Sequence, residues 1–137
     1  MFETAGALET EAVGEALATD LRSGDLVFIA GELGAGKTTL VRGACRALGV
    51  DAAVTSPTFA VGHRYPVDGE LVVAHLDLYR LSSLDDESPE LLDDYLGAGR
   101  ITFVEWPEIA GRALGDPRMR IEIRHAGADR RSIEVHG

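Results

Sequence analysis

The only lysine of this 137-residue chain is Lys37, and it closes the run Gly31-Glu32-Leu33-Gly34-Ala35-Gly36-Lys37-Thr38. That run matches G-x-x-x-x-G-K-[ST], a spacing dictated by its chemistry. Glycines let successive backbone N–H groups curl around a β-phosphate where side chains would obstruct them. Lys37 then reaches the β- and γ-phosphates, and the Thr38 hydroxyl serves as a magnesium ligand. Thr39, next along, is placed to line the α-phosphate. A nucleoside triphosphate is the expected ligand.

Three further places offer groups to complete such a site. Thr55-Ser56-Pro57-Thr58-Phe59 lies where switch loops sit, and a threonine there can sense γ-phosphate and magnesium; a plain polar turn at Pro57 is the competing reading. His75-Leu76-Asp77-Leu78-Tyr79-Arg80 ends an apolar run in Asp77, the pattern of a carboxylate that holds magnesium directly or through water. His75 and Tyr79 read as packing or hydrogen-bonding residues. Val104-Glu105-Trp106-Pro107-Glu108 puts Glu105 just past another apolar run, where a carboxylate can bind magnesium or orient water. Trp106 either faces the nucleotide or packs, and Glu108 is either a charge at a short helix start or a nucleotide contact.

These groups need a scaffold. Val13, Ala16, Leu17 and Leu21 recur at helical spacing, which predicts a helix over 9–22 stopped by Ser23-Gly24-Asp25. Leu26-Val27-Phe28-Ile29-Ala30 is continuous and apolar, as expected of a strand covered on both faces of a parallel sheet. A helix follows from Lys37 to about Leu48, with Gly49 as its stop. It aims its positive dipole end at the phosphates. Residues 58–65 and 71–76 read as a hairpin across Asp68-Gly69, 101–104 as a strand, and 119–125 with 132–135 as a second hairpin. Residues 84–96 read as a helix with an acidic, solvated face or a docking surface for a basic partner. Strands alternating with helices predict an α/β fold in one domain spanning 1–137.

Composition narrows the function. The formal charge is −10, and such a chain is a poor candidate for gripping phosphodiester backbones by itself. One cysteine, Cys45, excludes an internal disulfide and a Cys-rich zinc site and suits a reducing compartment. No apolar run is long enough to span a bilayer and the N-terminus lacks a signal-peptide pattern, so a soluble cytoplasmic protein is expected. Guanine-specific P-loop proteins need a second lysine in Asn/Thr-Lys-x-Asp, so ATP is favoured over GTP. No glutamine exists to orient a hydrolytic water.

Four stretches occur in order: 31–43 (Gly-Glu-Leu-Gly-Ala-Gly-Lys-Thr-Thr-Leu-Val-Arg-Gly), Ser56-Pro57-Thr58-Phe59, His75 to Leu81 (His-Leu-Asp-Leu-Tyr-Arg-Leu) and Val104 to Glu108. Together they resemble the TsaE (YjeE) family of bacterial ATPases in tRNA threonylcarbamoyladenosine synthesis. The resemblance implies a P-loop NTPase fold with a central parallel β-sheet flanked by antiparallel strands and helices. It implies an accessory role in modifying the adenosine beside the anticodon in tRNAs that read codons starting with A. The partners implied are the TsaD and TsaB proteins, reset by ATP binding and hydrolysis, with tRNA met only indirectly and no membrane. Carried onto this chain, Leu33, Gly34, Ala35, Gly36, Lys37 and Thr38 hold ATP, while Thr38 and Glu105 bind Mg2+. Asp77 supports the metal, Thr58 acts as a switch, and Glu108, Arg131 and Leu8 line the rest of the nucleotide site. Ser88-Pro89-Glu90-Leu91 departs from the family pattern, which carries a Glu-x-x-Gly-like stretch there.

The expected activity is a slow magnesium-dependent ATPase whose machinery is Lys37, Asp77 and Glu105. Two other classes compete. A small-molecule P-loop kinase needs an arginine-bearing lid, and the segment 82–100 holds only Arg100 among many acids. A non-hydrolysing ATP-dependent interaction module would bind without turnover.

Overall fold

The computed structural model describes residues 1–32, 34–51, 53–54, 62–67, 69–79, 95–110 and 114–137. Leu33, Thr58 and residues 84–94 of the helix expected over 84–96 lie outside the described residues, and the described Tyr95 and Leu96 lie in a turn and a bend. The elements run β1 (Phe2–Thr4), α1 (Ala7–Ala18), β2 (Leu26–Gly31), α2 (Lys37–Ala47), β3 (Gly62–Pro66), β4 (Val72–Asp77), β5 (Arg100–Glu105), a 3-10 turn (Pro107–Ile109), β6 (Met119–His125) and β7 (Arg131–His136).

The seven strands form one sheet in the order β1-β7-β6-β2-β5-β4-β3. Its middle is parallel: β2 pairs with β5 and β6, and β5 pairs with β4. Its margins are antiparallel, with β3 on β4, β7 on β6 and β1 on β7. Both hairpins read from the sequence are present, and the described part of the first begins at Gly62. The three-residue β1 carries no pattern of its own and is held by register against Arg131, Ser132 and Ile133.

The continuous apolar run of β2 is explained by burial on both faces. Val27 and Ile29 pack on one side with Leu40, Val41, Ala44 and Cys45 of α2. Leu26 and Phe28 pack on the other with Leu76, Leu78, Val104 and Leu114. β2, β4 and β5 therefore lack alternation, as buried parallel strands do, whereas β6 alternates buried and more exposed residues.

The first helix departs from its expected bounds and face. It runs Ala7–Ala18 instead of 9–22, because the Thr19 hydroxyl and amide both turn back onto the Ala16 carbonyl and close it. Its buried residues are Thr10, Glu11, Gly14 and Ala18, whereas Ala16 is exposed. The reason is its partner. A Cβ added at Gly14 would lie 2.1 Å from the Leu40 carbonyl oxygen, and one at Gly43 would lie 2.0 Å from that of Glu11. The two helices cross backbone to backbone, so glycines define the contact instead of large apolar side chains. Arg46 of α2 reinforces the crossing by pairing with Glu15 and, at 3.6 Å, with Glu11. No helix among the described residues is long and apolar enough to cross a membrane.

Candidate nucleotide site

The turn from β2 into α2 builds the first wall of the site. Gly36 sits at φ +107°, a left-handed conformation that glycine adopts without steric cost, and it starts α2 with no side-chain cap. The amides of Lys37, Thr38 and Thr39 consequently meet no acceptor among the described residues. Uncapped first-turn amides and the positive end of the helix together form a cradle for an anion. Gly34, also at positive φ, is exposed at the loop tip, while Ala35 is fully buried beneath it.

Lys37 folds over this turn. Its Nζ donates to the carbonyls of Gly31 (2.8 Å) and Glu32 (2.7 Å) and lies 4.5 Å from the centre of the Trp106 ring. Burial lowers the Lys37 ammonium below its ordinary range, while Glu105, Asp77, Glu108 and Glu32 act in the opposite sense. Trp106 follows β5 at φ 59°, an unusual conformation for a bulky residue, and packs against the exposed Tyr79 with ring centres 4.9 Å apart and planes tilted by 43°.

The second wall comes from the carboxyl ends of β4 and β5, where ligands bind in open α/β sheets. Asp77 and Glu105 are direct register partners there. Glu105 is 3% exposed, and its Oε2 accepts from Thr38 Oγ1 at 2.8 Å and lies 2.5 Å from His75 Nε2. Asp77 is half-buried and takes the Tyr79 amide at 3.0 Å. Lys37, Thr38, Asp77, Glu105 and Trp106 are thus brought together. Thr39 lies half-buried in the first turn of α2.

The remaining expected residues are more scattered. Arg131 ties the second hairpin to the loop, its Nε donating to the Ala35 carbonyl at 2.9 Å. It also lines a depression of about 220 Å³ with Glu3, Thr4, Ala5, Glu9, Ala126 and Arg130. Leu8 stands beside that depression in sequence, 82% exposed on the first turn of α1. Glu108 lies in the 3-10 turn and lines a different depression of about 470 Å³ with Phe28, Ala30 and Arg120. Arg131 and Glu108 therefore line different depressions. Leu33 and Thr58 lie outside the described residues.

The donor set suits magnesium. Among the described residues no three His, Cys, Asp or Glu side chains converge on one point. A hydroxyl and one or two carboxylates, facing a phosphate cradle, match an ion that keeps its waters and takes oxygen ligands from substrate phosphates.

Comparison with known proteins decides the family. The family model described as threonylcarbamoyl adenosine biosynthesis protein TsaE matches residues 4–133. The chain belongs to the TsaE family. Two relatives are each called tRNA threonylcarbamoyladenosine biosynthesis protein TsaE. That of Bacillus subtilis is 38% identical over 133 residues, 96% of this chain and 82% of its own. That of Streptomyces coelicolor is 46% identical over 119 residues, 85% of this chain and 80% of its own. The crystal structure of Bacillus subtilis YdiB superposes with a TM-score of 0.75 at 34% identity, covering 96% of this chain and 80% of that one. The TsaE assignment and the α/β fold expected from the sequence agree with the observed sheet.

His75 is the site member whose role the sequence left least defined. Its signal was a lone imidazole in an otherwise apolar strand, and the structure makes it the hydrogen-bond partner of Glu105.

Proposed function

We propose that this TsaE-family chain binds ATP with Mg2+ and hydrolyses it slowly in the cytoplasm. In this reading it serves threonylcarbamoylation of the adenosine beside the anticodon in tRNAs reading codons that start with A. It acts with TsaD and TsaB and meets tRNA only through that complex. The observation that carries the reading is the set of amides over Lys37–Thr39 that meet no acceptor among the described residues, flanked by the Lys37 ammonium and by a hydroxyl bonded to a buried carboxylate.

Each group then has a task. The loop amides and Lys37 hold the β- and γ-phosphates, Lys37 exchanging the Gly31 and Glu32 carbonyls for phosphate oxygens. Thr38 and Glu105, supported by Asp77, hold the cation, which when bound neutralises charge on the transferring phosphoryl group. Arg131 and Leu8 flank the nucleoside end, and Glu108 guards the opposite rim. Leu33 completes the loop and Thr58 senses the γ-phosphate in the same reading. Neither an arginine finger nor a glutamine is present among these groups, which accounts for slow turnover in isolation.

Calorimetry with ATP and magnesium on the wild type, Lys37→Ala and Glu105→Gln tests the reading, alongside single-turnover hydrolysis and capture of TsaD and TsaB with and without ATP. Binding and turnover lost in Lys37→Ala, turnover lost in Glu105→Gln, and ATP-dependent capture are expected. Turnover retained in both variants refutes the assigned site; binding without any turnover favours an interaction module.

A further inference from the structure

His75 is completely buried on β4, and its imidazole meets Glu105 of the proposed cation site. Its Nε2 lies 2.5 Å from Glu105 Oε2, the oxygen that already accepts from Thr38 Oγ1. Its Nδ1 is buried and has no hydrogen-bond partner among the described residues. The Oε1 atom of Glu105 receives neither donor. Three elements therefore meet on one carboxylate oxygen: β4 through His75, α2 through Thr38, and β5 through Glu105 itself.

We propose that His75 is a positioning residue for the nucleotide-bound cation: its Nε2–H pins Oε2 of Glu105 and leaves Oε1 as the atom turned to the divalent ion. The proposal rests on the magnesium–nucleotide reading above. The proton assignment follows from geometry. A carboxylate oxygen is an acceptor only, so a bond of this length needs the proton on Nε2. A second proton on Nδ1 would be a buried donor without an acceptor among the described residues. Without the Nε2 donor Glu105 is held on that side by the Thr38 hydroxyl alone, which must also turn a lone pair to the ion. Loss of comparable orienting partners lowers metal affinity by about 10–100-fold.

The test compares wild type, His75→Gln and His75→Phe by calorimetry with ADP, once in excess magnesium and once in EDTA. Glutamine can return an amide N–H near the Nε2 position, and phenylalanine fills the space without a donor. The magnesium-dependent gain in ADP affinity is expected to fall tenfold or more in His75→Phe and to survive within threefold in His75→Gln. Affinity in EDTA is expected to stay unchanged in both. A gain retained in His75→Phe, or lost equally in both variants together with the EDTA affinity, overturns the proposal in favour of simple packing. Should His75→Phe fail to fold, long-range 15N–1H spectra of the wild-type imidazole decide: protonated Nε2 with bare Nδ1 supports the assignment, and the reverse overturns it. A wild type whose ADP affinity ignores magnesium refutes the metal reading itself, whichever nitrogen bears the proton.

Discussion

Replacing Gly14 with alanine sets two effects of opposite sign against each other. Gly14 lies inside α1, where alanine is intrinsically favoured over glycine by about 1 kcal/mol. Its missing Cβ, however, points at α2: the added atom would be 2.1 Å from the Leu40 carbonyl oxygen and 3.0 Å from the Ala44 nitrogen, where ordinary contact begins at 3.4 Å. The obstacle is backbone within a helix, so no rotamer change relieves it, and the helices must part by more than an ångström. Overpacking of this kind costs about 1–3 kcal/mol and sometimes more, and here it also opens contacts along the whole crossing. With a backbone obstacle at 2.1 Å the cost falls at the upper end, about 3 kcal/mol, and outweighs the propensity gain to leave a net loss of about 2 kcal/mol. At about 2.1 cal/mol/K of unfolding entropy per residue, that lowers Tm by roughly 7 °C for a chain of this size. Thermal unfolding followed by helix ellipticity reads it directly. Exposed Ala16→Gly supplies the propensity scale alone and should cost about 1 kcal/mol. Gly43→Ala should behave like Gly14→Ala, and the double variant should lose less than the sum, because one separation of the helices accommodates both. A Tm raised or unchanged in Gly14→Ala would refute the close-crossing argument.

Three other outcomes follow from the geometry. Burial pushes the Cys45 thiol up to about 12, against 9 in the unfolded chain, so only the unfolded chain gains by ionising between those values. The thiol's contribution is complete below pH 9 and is lost at up to about 1.4 kcal/mol per pH unit on the way to 12; urea titrations of wild type and Cys45→Ala, compared from pH 8 upward, should converge as pH rises. Because Glu105 is the carboxylate that most raises the Lys37 ammonium, Glu105→Gln should lower Lys37 further, and 13C NMR of the chain's single lysine reads that shift without assignment. Arg131→Met removes the guanidinium bond to the Ala35 carbonyl under the loop; ATP affinity should fall about tenfold, equivalent to about 1.4 kcal/mol, with or without magnesium in a calorimetric titration.

The parts legible in the sequence are those whose cause is local. The strand–loop–α2 unit follows from an apolar run, left-handed glycines and a helix stop at Gly49, all within 25 residues, and Glu105 and Asp77 follow from acids at strand ends. What escaped depends on partners far along the chain. The buried face of α1 is chosen by a backbone crossing with α2, so Val13 and Leu17 are only partly covered while Gly14 is buried. β1 exists because β7 offers it an edge, and nothing in Phe2-Glu3-Thr4 announces that. Sheet order was equally hidden, since β6 reaches β2 from almost a hundred residues away. The tie between His75 and Glu105 needed the parallel alignment of β4 and β5, which no spacing rule supplies.

The chain has one tryptophan and one lysine, and the two touch. In the proposed site, the indole rests on the ammonium assigned to phosphate and is an intrinsic emitter at the proposed point of ligand entry. Its colour and intensity report that ammonium's departure with no dye, label or background from other indoles. Stopped-flow mixing can therefore time the seating of a polyphosphate in the unmodified protein, and the same signal can be followed inside a larger assembly wherever the other components are made free of tryptophan.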